Sequence, residues 1–252
     1  MIKILLSGAN GRMGRAITNL VAQTADAEIL CGVDINTESA NGFPVYADFA
    51  SVPSRPDVVI DFSNPANFEK LMDYAESEKL PVVVATTGLS KEQKERLHEA
   101  AASIPVFFSA NMSLGVNLIC ELAKKATRFL GENFDIEIVE RHHNQKLDAP
   151  SGTALAIADA INEELSGGGR YVYDRHSVRK KRESNEIGIH AIRGGTIVGD
   201  HTVIFAGDNE IIELHHHASS REVFATGAVK AGLFMAGRKP GFYDMTDLIN
   251  ES

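Results

Sequence analysis

Cysteine is nearly absent from this chain: Cys31 and Cys120 are the only two in 252 residues. One sits in an apolar strand pattern and the other on the apolar face of a helical pattern. Both therefore read as small buried hydrophobes, and a disulfide framework is not expected. A reducing, cytoplasmic setting is the expectation. No apolar run approaches the roughly 20 residues of a membrane span. The opening Met1-Ile2-Lys3-Ile4-Leu5-Leu6-Ser7-Gly8 is too short and too soon interrupted for a signal peptide, and reads as a first strand. Positive charge is scarce, with 25 Lys and Arg against 34 Asp and Glu for a net −9. That balance argues against nucleic-acid binding, which needs a basic surface. Basic residues gather instead at Arg141–Lys146, at Arg175-His176 and at Arg179-Lys180-Lys181-Arg182. The last run reads as a solvated loop, whereas a basic pocket in an acidic protein suits a small anionic ligand.

What is present is ordinary globular material, 44% hydrophobic and 23% charged, enough for one large domain or two modest ones. Strands are predicted at Ile2–Gly8, Glu28–Asp34, Val58–Phe62, Val82–Thr86 and Val106–Ser109. Helical patterns near Arg12–Thr24, Pro65–Glu78 and Lys91–Ser103 alternate with them. Continuous apolar strands separated by helices indicate a parallel sheet covered on both faces. From about Leu114 the pattern changes. A helix at Gly115–Phe129 precedes a strand with period-two alternation at Phe134–Val139, and a further helix is predicted from Ser151 to Leu165. Three longer strands follow at Glu186–Ile192, Thr196–Ala206 and Glu210–His217, joined by Gly194-Gly195 and Gly207-Asp208-Asn209. Short Gly-rich joints of this kind predict antiparallel hairpins. The chain then returns to helix at Phe224–Ala236, expected to pack back on the first lobe. The predicted fold is α/β: a Rossmann-type parallel-sheet domain of residues 1–112 plus 224–252, with an inserted α+β domain, 113–223, on a largely antiparallel or mixed sheet.

Gly8-Ala9-Asn10-Gly11-Arg12-Met13-Gly14 follows the first strand and opens the first helix. Glycine lets backbone approach a pyrophosphate closely, and the helix N-terminus supplies aligned N–H groups. The spacing is G-x-x-G-x-x-G rather than the commoner G-x-G-x-x-G, but it stands where a dinucleotide-binding βαβ unit requires it. Asp34 ends the second strand, where an acid accepts hydrogen bonds from the adenosine ribose. Asp34 followed by Ile35 favours NAD, whereas Arg12 in the loop is able to reach a 2′-phosphate, so NADH, NADPH or both remain open. Thr86-Thr87-Gly88 and Ala110-Asn111-Met112-Ser113 end the fourth and fifth predicted parallel strands. Loops at those carboxyl ends line the ligand crevice, and small hydroxylated residues there suit a nicotinamide amide.

The densest chemistry lies in Glu140-Arg141-His142-His143-Asn144-Gln145-Lys146-Leu147-Asp148-Ala149-Pro150-Ser151-Gly152-Thr153-Ala154. On an extended chain His142 and His143 point to opposite sides and have different roles. Lys146, four residues on, is able to fold back on one of them. A histidine exchanges protons near pH 7, and a lysine beside another cation binds its proton less tightly, so the pair suits general acid catalysis. Gly152 and Thr153 open a helix, where free N–H groups and a hydroxyl hold a carboxylate. Asp148 or Ser151 caps that helix. Metal ligation by the adjacent histidines is disfavoured, since no Cys or carboxylate partner has suitable spacing. His215-His216-His217 alternate across a strand and read as a hydrogen-bonded or interface triplet. Arg221, just beyond, is placed to reach a substrate carboxylate with its guanidinium fork.

Together with Asp61-Phe62-Ser63, Ile192–Thr202 and His217-Ala218-Ser219-Ser220-Arg221, these motifs resemble the dihydrodipicolinate reductase family. Its members are 4-hydroxy-tetrahydrodipicolinate reductases of diaminopimelate and lysine biosynthesis. The resemblance spans nearly the whole chain. It implies hydride transfer from NADH or NADPH to a cyclic, imine-like dicarboxylate. By it His142 is the proton donor/acceptor and Lys146 the proton donor, while His143, Gly152, Thr153 and Arg221 bind the substrate. It also implies a homotetramer assembled through the sheets of the second domain, and hinge closure between domains. Two other readings share parts of the pattern. Another nicotinamide oxidoreductase has no need of the 140–153 cluster, and a nucleotide sensor would bind cofactor without turnover.

Overall fold

A computed structural model describes residues 1–39 and 42–251. Its first part runs β1 (Ile2–Ser7), α1 (Arg12–Val21), β2 (Ala27–Val33), β3 (Val45–Tyr46), β4 (Val58–Asp61), α2 (Phe68–Ser77), β5 (Val82–Val84), α3 (Lys91–Ala100) and β6 (Pro105–Phe108). The middle runs α4 (Leu114–Leu130), β7 (Asp135–His142), α5 (Gly152–Asn162), β8 (Arg170–Val172), β9 (Glu186–Arg193), β10 (Gly199–Ala206) and β11 (Ile211–Ala218). The chain closes with α6 (Glu222–Met235), β12 (Gly241–Tyr243) and α7 (Met245–Asn250). Two compact units result, one of Met1–Leu114 with Glu222–Ser252 and one of Gly115–Arg221.

The first unit is built on a seven-stranded parallel sheet in the order β12-β6-β5-β4-β1-β2-β3. Val58, Val59 and Ile60 of β4 are all fully buried, because helices cover both faces. Ile17 and Val21 of α1 pack with Ala228 and Met235 of α6 on one face. Phe68, Leu71 and Met72 of α2 pack with Leu97 of α3 on the other. Strand order reverses between β1 and β4, and the crevice at such a switch point is where open α/β sheets take ligands.

The second unit has a five-stranded mixed sheet in the order β11-β10-β7-β9-β8. Alternation along β7 buries Ile136, Ile138, Glu140 and His142 on one face. Ile136 and Ile138 meet Ile119 and Ala123 of α4 and Ala154, Ile157 and Ile161 of α5. The Gly207 joint is the predicted hairpin, with Ala206 pairing Ile211. The Gly194-Gly195 joint is not. β7 lies between β9 and β10, pairing parallel with the first and antiparallel with the second. The 194–198 link therefore crosses two strand spacings of about 4.8 Å each over the end of β7. A tight hairpin would instead have expelled β7, whose apolar face needs a place in the sheet. β3, β8, β12 and α7 are too short to stand out in the sequence; three-residue strands such as β8 carry almost no periodicity.

The basic loop 175–182 is not simply solvated. Arg175 Nη1 meets Glu186 Oε2 at 2.5 Å, Lys180 Nζ meets Glu186 Oε1 at 3.2 Å, and Arg182 Nε meets Glu137 Oε1 at 3.1 Å. The Arg175 hydrogen bond, helped by Lys180, lowers the buried Glu186 carboxyl to about 2 from an ordinary 4.5. A depressed carboxyl stabilises the fold above its unfolded value, and that contribution disappears as pH falls through the folded one. Acid titration is thus expected to release the 173–185 loop between about pH 4.5 and 2. Glu186→Gln should remove that part of the pH slope, as followed by limited proteolysis.

Candidate active site

In the first unit the chain turns immediately after β1. Gly8 adopts φ +79°, and a Cβ there would fall 2.7 Å from the Phe62 carbonyl oxygen at the end of β4. A Cβ on Gly14 would meet the Gly8 oxygen at 2.3 Å. The loop is thus glycine-lined by steric need. α1 starts after Gly11 with no side-chain cap, so its first N–H groups are available to an anion. These residues fit the pyrophosphate of a dinucleotide.

Asp34 Oδ2 accepts the Asn10 N–H at 2.9 Å and Oδ1 accepts the Asn36 N–H at 3.0 Å. The Asn10 side chain donates to the Asn36 and Glu38 carbonyls at 2.6 and 3.0 Å. Asn10 thus ties the loop to the segment after β2. Asp61, 2% exposed at the end of β4, accepts the Thr86 hydroxyl at 2.5 Å and the Ser63 hydroxyl at 2.6 Å. Thr87 and Gly88 follow Thr86 into solvent, Gly88 at φ +81°. Across 109–113, Ser109 donates to the Asn111 carbonyl at 2.8 Å and Asn111 Oδ1 accepts the Ser113 N–H at 2.9 Å. Ala110 is exposed, while Met112 and Ser113 are buried.

In the second unit His142, His143, Lys146, Gly152 and Thr153 all stand on the one connection from β7 to α5. Two hydrogen bonds from the crossing link fix its course: Gly194 N–H to the His142 carbonyl at 2.9 Å, and Asn144 N–H to the Gly195 carbonyl at 3.2 Å. His142 is 9% exposed, whereas His143, one residue on, is only half-buried. Ser151 caps α5, its hydroxyl accepting the Ala154 N–H at 3.1 Å. Asp148 instead pairs with Lys146, Oδ1 to Nζ at 2.8 Å. The charge found beside Lys146 is thus an anion rather than the cation the sequence suggests.

Behind His142 lies a fully buried carboxylate. Glu140 Oε2 is 2.7 Å from His142 Nδ1, and Arg193 of β9 grips both Glu140 oxygens at 2.7 Å each. The Ser151 N–H adds 3.0 Å to Oε1. Burial alone would raise the Glu140 carboxyl, yet hydrogen bonds from Arg193, His142 and Ser151 hold it below its ordinary value. His201 of β10 stands edge-on to His142, ring centroids 5.3 Å apart. Burial first, and His142 next, push His201 down to about 4. Its Nε2 lies 3.1 Å from the Ser151 hydroxyl. In the triplet on β11, His215 shares a hydrogen bond with Thr202 at 2.8 Å and His217 bonds Asp200, and among the described residues no cluster suits a metal. Arg221 is exposed, three residues beyond Ala218. Ala218 pairs with Gly199, and Gly199 faces His142. Arg221 therefore leaves the sheet at the end that carries His142.

Family comparison accounts for both units. The model for the dihydrodipicolinate reductase N-terminus matches residues 2–112, and that for its C-terminus matches 115–249. The chain belongs to the dihydrodipicolinate reductase family. It is 53% identical over 251 residues to the 4-hydroxy-tetrahydrodipicolinate reductase of Caldanaerobacter subterraneus subsp. tengcongensis, covering 100% of this chain and 99% of that one. It is 50% identical to the same enzyme of Clostridium tetani, covering 99% and 98%. Among solved structures, a dipicolinate-bound dihydrodipicolinate reductase from Paenisporosarcina sp. TG-14 shares the fold. Its TM-score is 0.82 at 24% identity, over 97% of each chain.

Against this family frame, three groups escaped the sequence reading. Arg193 is 53 positions from Glu140, and only strand pairing brings them together. His201, like Arg193, lies in the Ile192–Thr202 run, which carries the resemblance but shows no role for either residue. Asp61 was legible as part of Asp61-Phe62-Ser63 but showed no role until Thr86 and Ser63 were seen to converge on it. The expected cap of α5 is Ser151 rather than Asp148.

Proposed function

We propose that this protein reduces 4-hydroxy-tetrahydrodipicolinate to tetrahydrodipicolinate in the diaminopimelate and lysine route. The observation that carries the reading is the β7–α5 connection, which brings two histidines, a lysine and the start of α5 onto one loop within a chain of this family. A nicotinamide cofactor bound at the glycine loop supplies the hydride. In this reading residues 1–112 with 224–252 form the dinucleotide domain and 113–223 the substrate domain.

The protein's own groups divide the remaining work. Gly8–Gly14 and the start of α1 take the pyrophosphate, and Asp34 the ribose. Thr86, Thr87, Gly88 and Ala110–Ser113 line the nicotinamide end. Gly152 and Thr153 at the start of α5, aided by the helix dipole, hold one substrate carboxylate with His143 and Arg221. His142 and Lys146 move the protons: one passes from the ring to the 4-hydroxyl, which leaves as water, and one is added to the ring together with the hydride. Asp34 accepting N–H bonds on both oxygens, followed by fully exposed Ile35, supports NADH as the preferred cofactor, with NADPH second. The open face of the mixed sheet, with helices on one side only, supports a homotetramer assembled there, and four chains per particle by light scattering is the expected count. No helix among the described residues is long and apolar enough to cross a membrane, in keeping with a cytoplasmic enzyme.

The decisive assay follows absorbance at 340 nm while the preceding aldol enzyme generates substrate in situ. Cofactor oxidation that depends on that enzyme is the expected result. Tight cofactor binding without absorbance loss would favour the sensor reading instead. Running NADH and NADPH in parallel tests the preference.

Asp148 occupies the Lys146 ammonium that a dicarboxylate needs. Asp148→Asn is expected to lower substrate KM, by up to about 5-fold on the worth of an exposed ion pair of about 1 kcal/mol. A raised KM would mean that Asp148 holds Lys146 in place.

A further inference from the structure

We propose that Glu140, clamped by Arg193, is a positioning residue that fixes the His142 imidazole with Nδ1 protonated, so that Nε2 is the atom which exchanges the proton. This rests on the reading of His142 as the proton donor/acceptor. The geometry is that of a buried carboxylate orienting a catalytic imidazole. Glu140 and His142 alternate onto the same face of β7, and Glu140 Oε2 stands 2.7 Å from Nδ1. An ionised carboxylate only accepts hydrogen bonds, so the proton of that contact belongs to Nδ1.

Every other tie on Glu140 is a donor that keeps it ionised and immobile. The Arg193 fork reaches both oxygens at 2.7 Å and the Ser151 N–H adds a fourth hydrogen bond at 3.0 Å. Arg193 is itself anchored to the Asp148 carbonyl at 2.5 Å, which joins the clamp to the loop that carries Lys146. The side chain is fully buried, so water does not compete for these bonds. On the far side of the ring, Nε2 faces Gly199, where even a Cβ would come within 3.1 Å. The remaining neighbour, His201 of β10, is held neutral near pH 7 by burial and by His142. It therefore adds no competing charge. A bidentate arginine on a buried carboxylate is a larger investment than packing requires. Apolar residues of similar volume serve stability as well or better, so the arrangement is explained by what it does to His142.

The test is Glu140→Gln in the full chain, beside His142→Gln and the double variant. Glu140→Gln is expected to lower kcat on the order of 10²-fold, with substrate KM and cofactor affinity unchanged. The double variant should be no slower than His142→Gln alone, since Glu140 acts through that ring. Losses that multiply would overturn the proposal in favour of a general structural role. Wild-type kcat in Glu140→Gln, with His142→Gln inactive, would overturn it while leaving the proton role of His142 intact. An active His142→Gln would instead sink that underlying role. Should Glu140→Gln fail to fold, long-range 1H–15N correlation on histidine-labelled wild type decides. A neutral His142 carrying its proton on Nδ1 supports the proposal, and one carrying it on Nε2 refutes it.

Discussion

Lys146→Ala is expected to lower kcat/KM by roughly 10²–10⁴-fold, the range over which a positioned general acid contributes. The loss should fall on both parameters. The ammonium supplies a proton, and it also neutralises part of a doubly negative substrate. The loop around it, with Leu147 99% exposed and the Asp148 side chain 58% exposed, contributes little to folding. Thermal stability should therefore stay near wild type, which separates chemistry from collapse. Lys146→Arg keeps the charge but changes the donor geometry and the proton affinity. It is expected to recover KM more than kcat. Wild-type kcat/KM in Lys146→Ala would remove this residue from the chemistry.

Gly14→Ala carries the second large effect. Its Cβ would stand 2.3 Å from the Gly8 oxygen and 2.4 Å from the Ala9 oxygen. Both are backbone atoms of the loop proposed to hold the pyrophosphate, so relief requires α1 and the loop to part by on the order of 1 Å. A displacement of that size costs on the order of 10²-fold in kcat/KM. The loss should appear as weakened cofactor binding in a fluorescence titration, with the substrate clamp untouched in the second unit. Unchanged cofactor affinity would mean that the glycine serves helix–strand packing alone.

These two residues also mark how far the sequence carries. Gly8–Gly14 is legible because its requirement is local: a strand, a turn that only glycine makes, and a helix, all within neighbouring positions. The parallel sheet is legible for a related reason. Val58–Ile60 and Val82–Val84 are buried on both faces and read as unbroken apolar runs. The 140–153 connection stands out because no structural need fills a turn with two histidines and a lysine. Strand partnership does not show in this way. Nothing local in Glu186–Arg193 says that it pairs with β7 instead of β10, so the Gly194-Gly195 joint looked like a hairpin. For the same reason the Arg193 clamp and the edge-on His201 were out of reach: their partners are chosen by sheet order. The neighbour of Lys146 was misread because charge along the chain does not reveal which side chain folds back.

The crossing of residues 194–198 over the end of β7 constrains which lengths of chain this protein tolerates. Gly194 and Gly195 hold the His142 carbonyl and the Asn144 N–H, so the link works as a measured strap rather than as slack. A residue gained or lost there shifts both bonds along the reactive loop. The Gly207–Glu210 hairpin tip has no such duty, being closed by its own two ends. Length variation, fused tags and inserted reporters belong at that tip, at the opposite end of β10 from the strap.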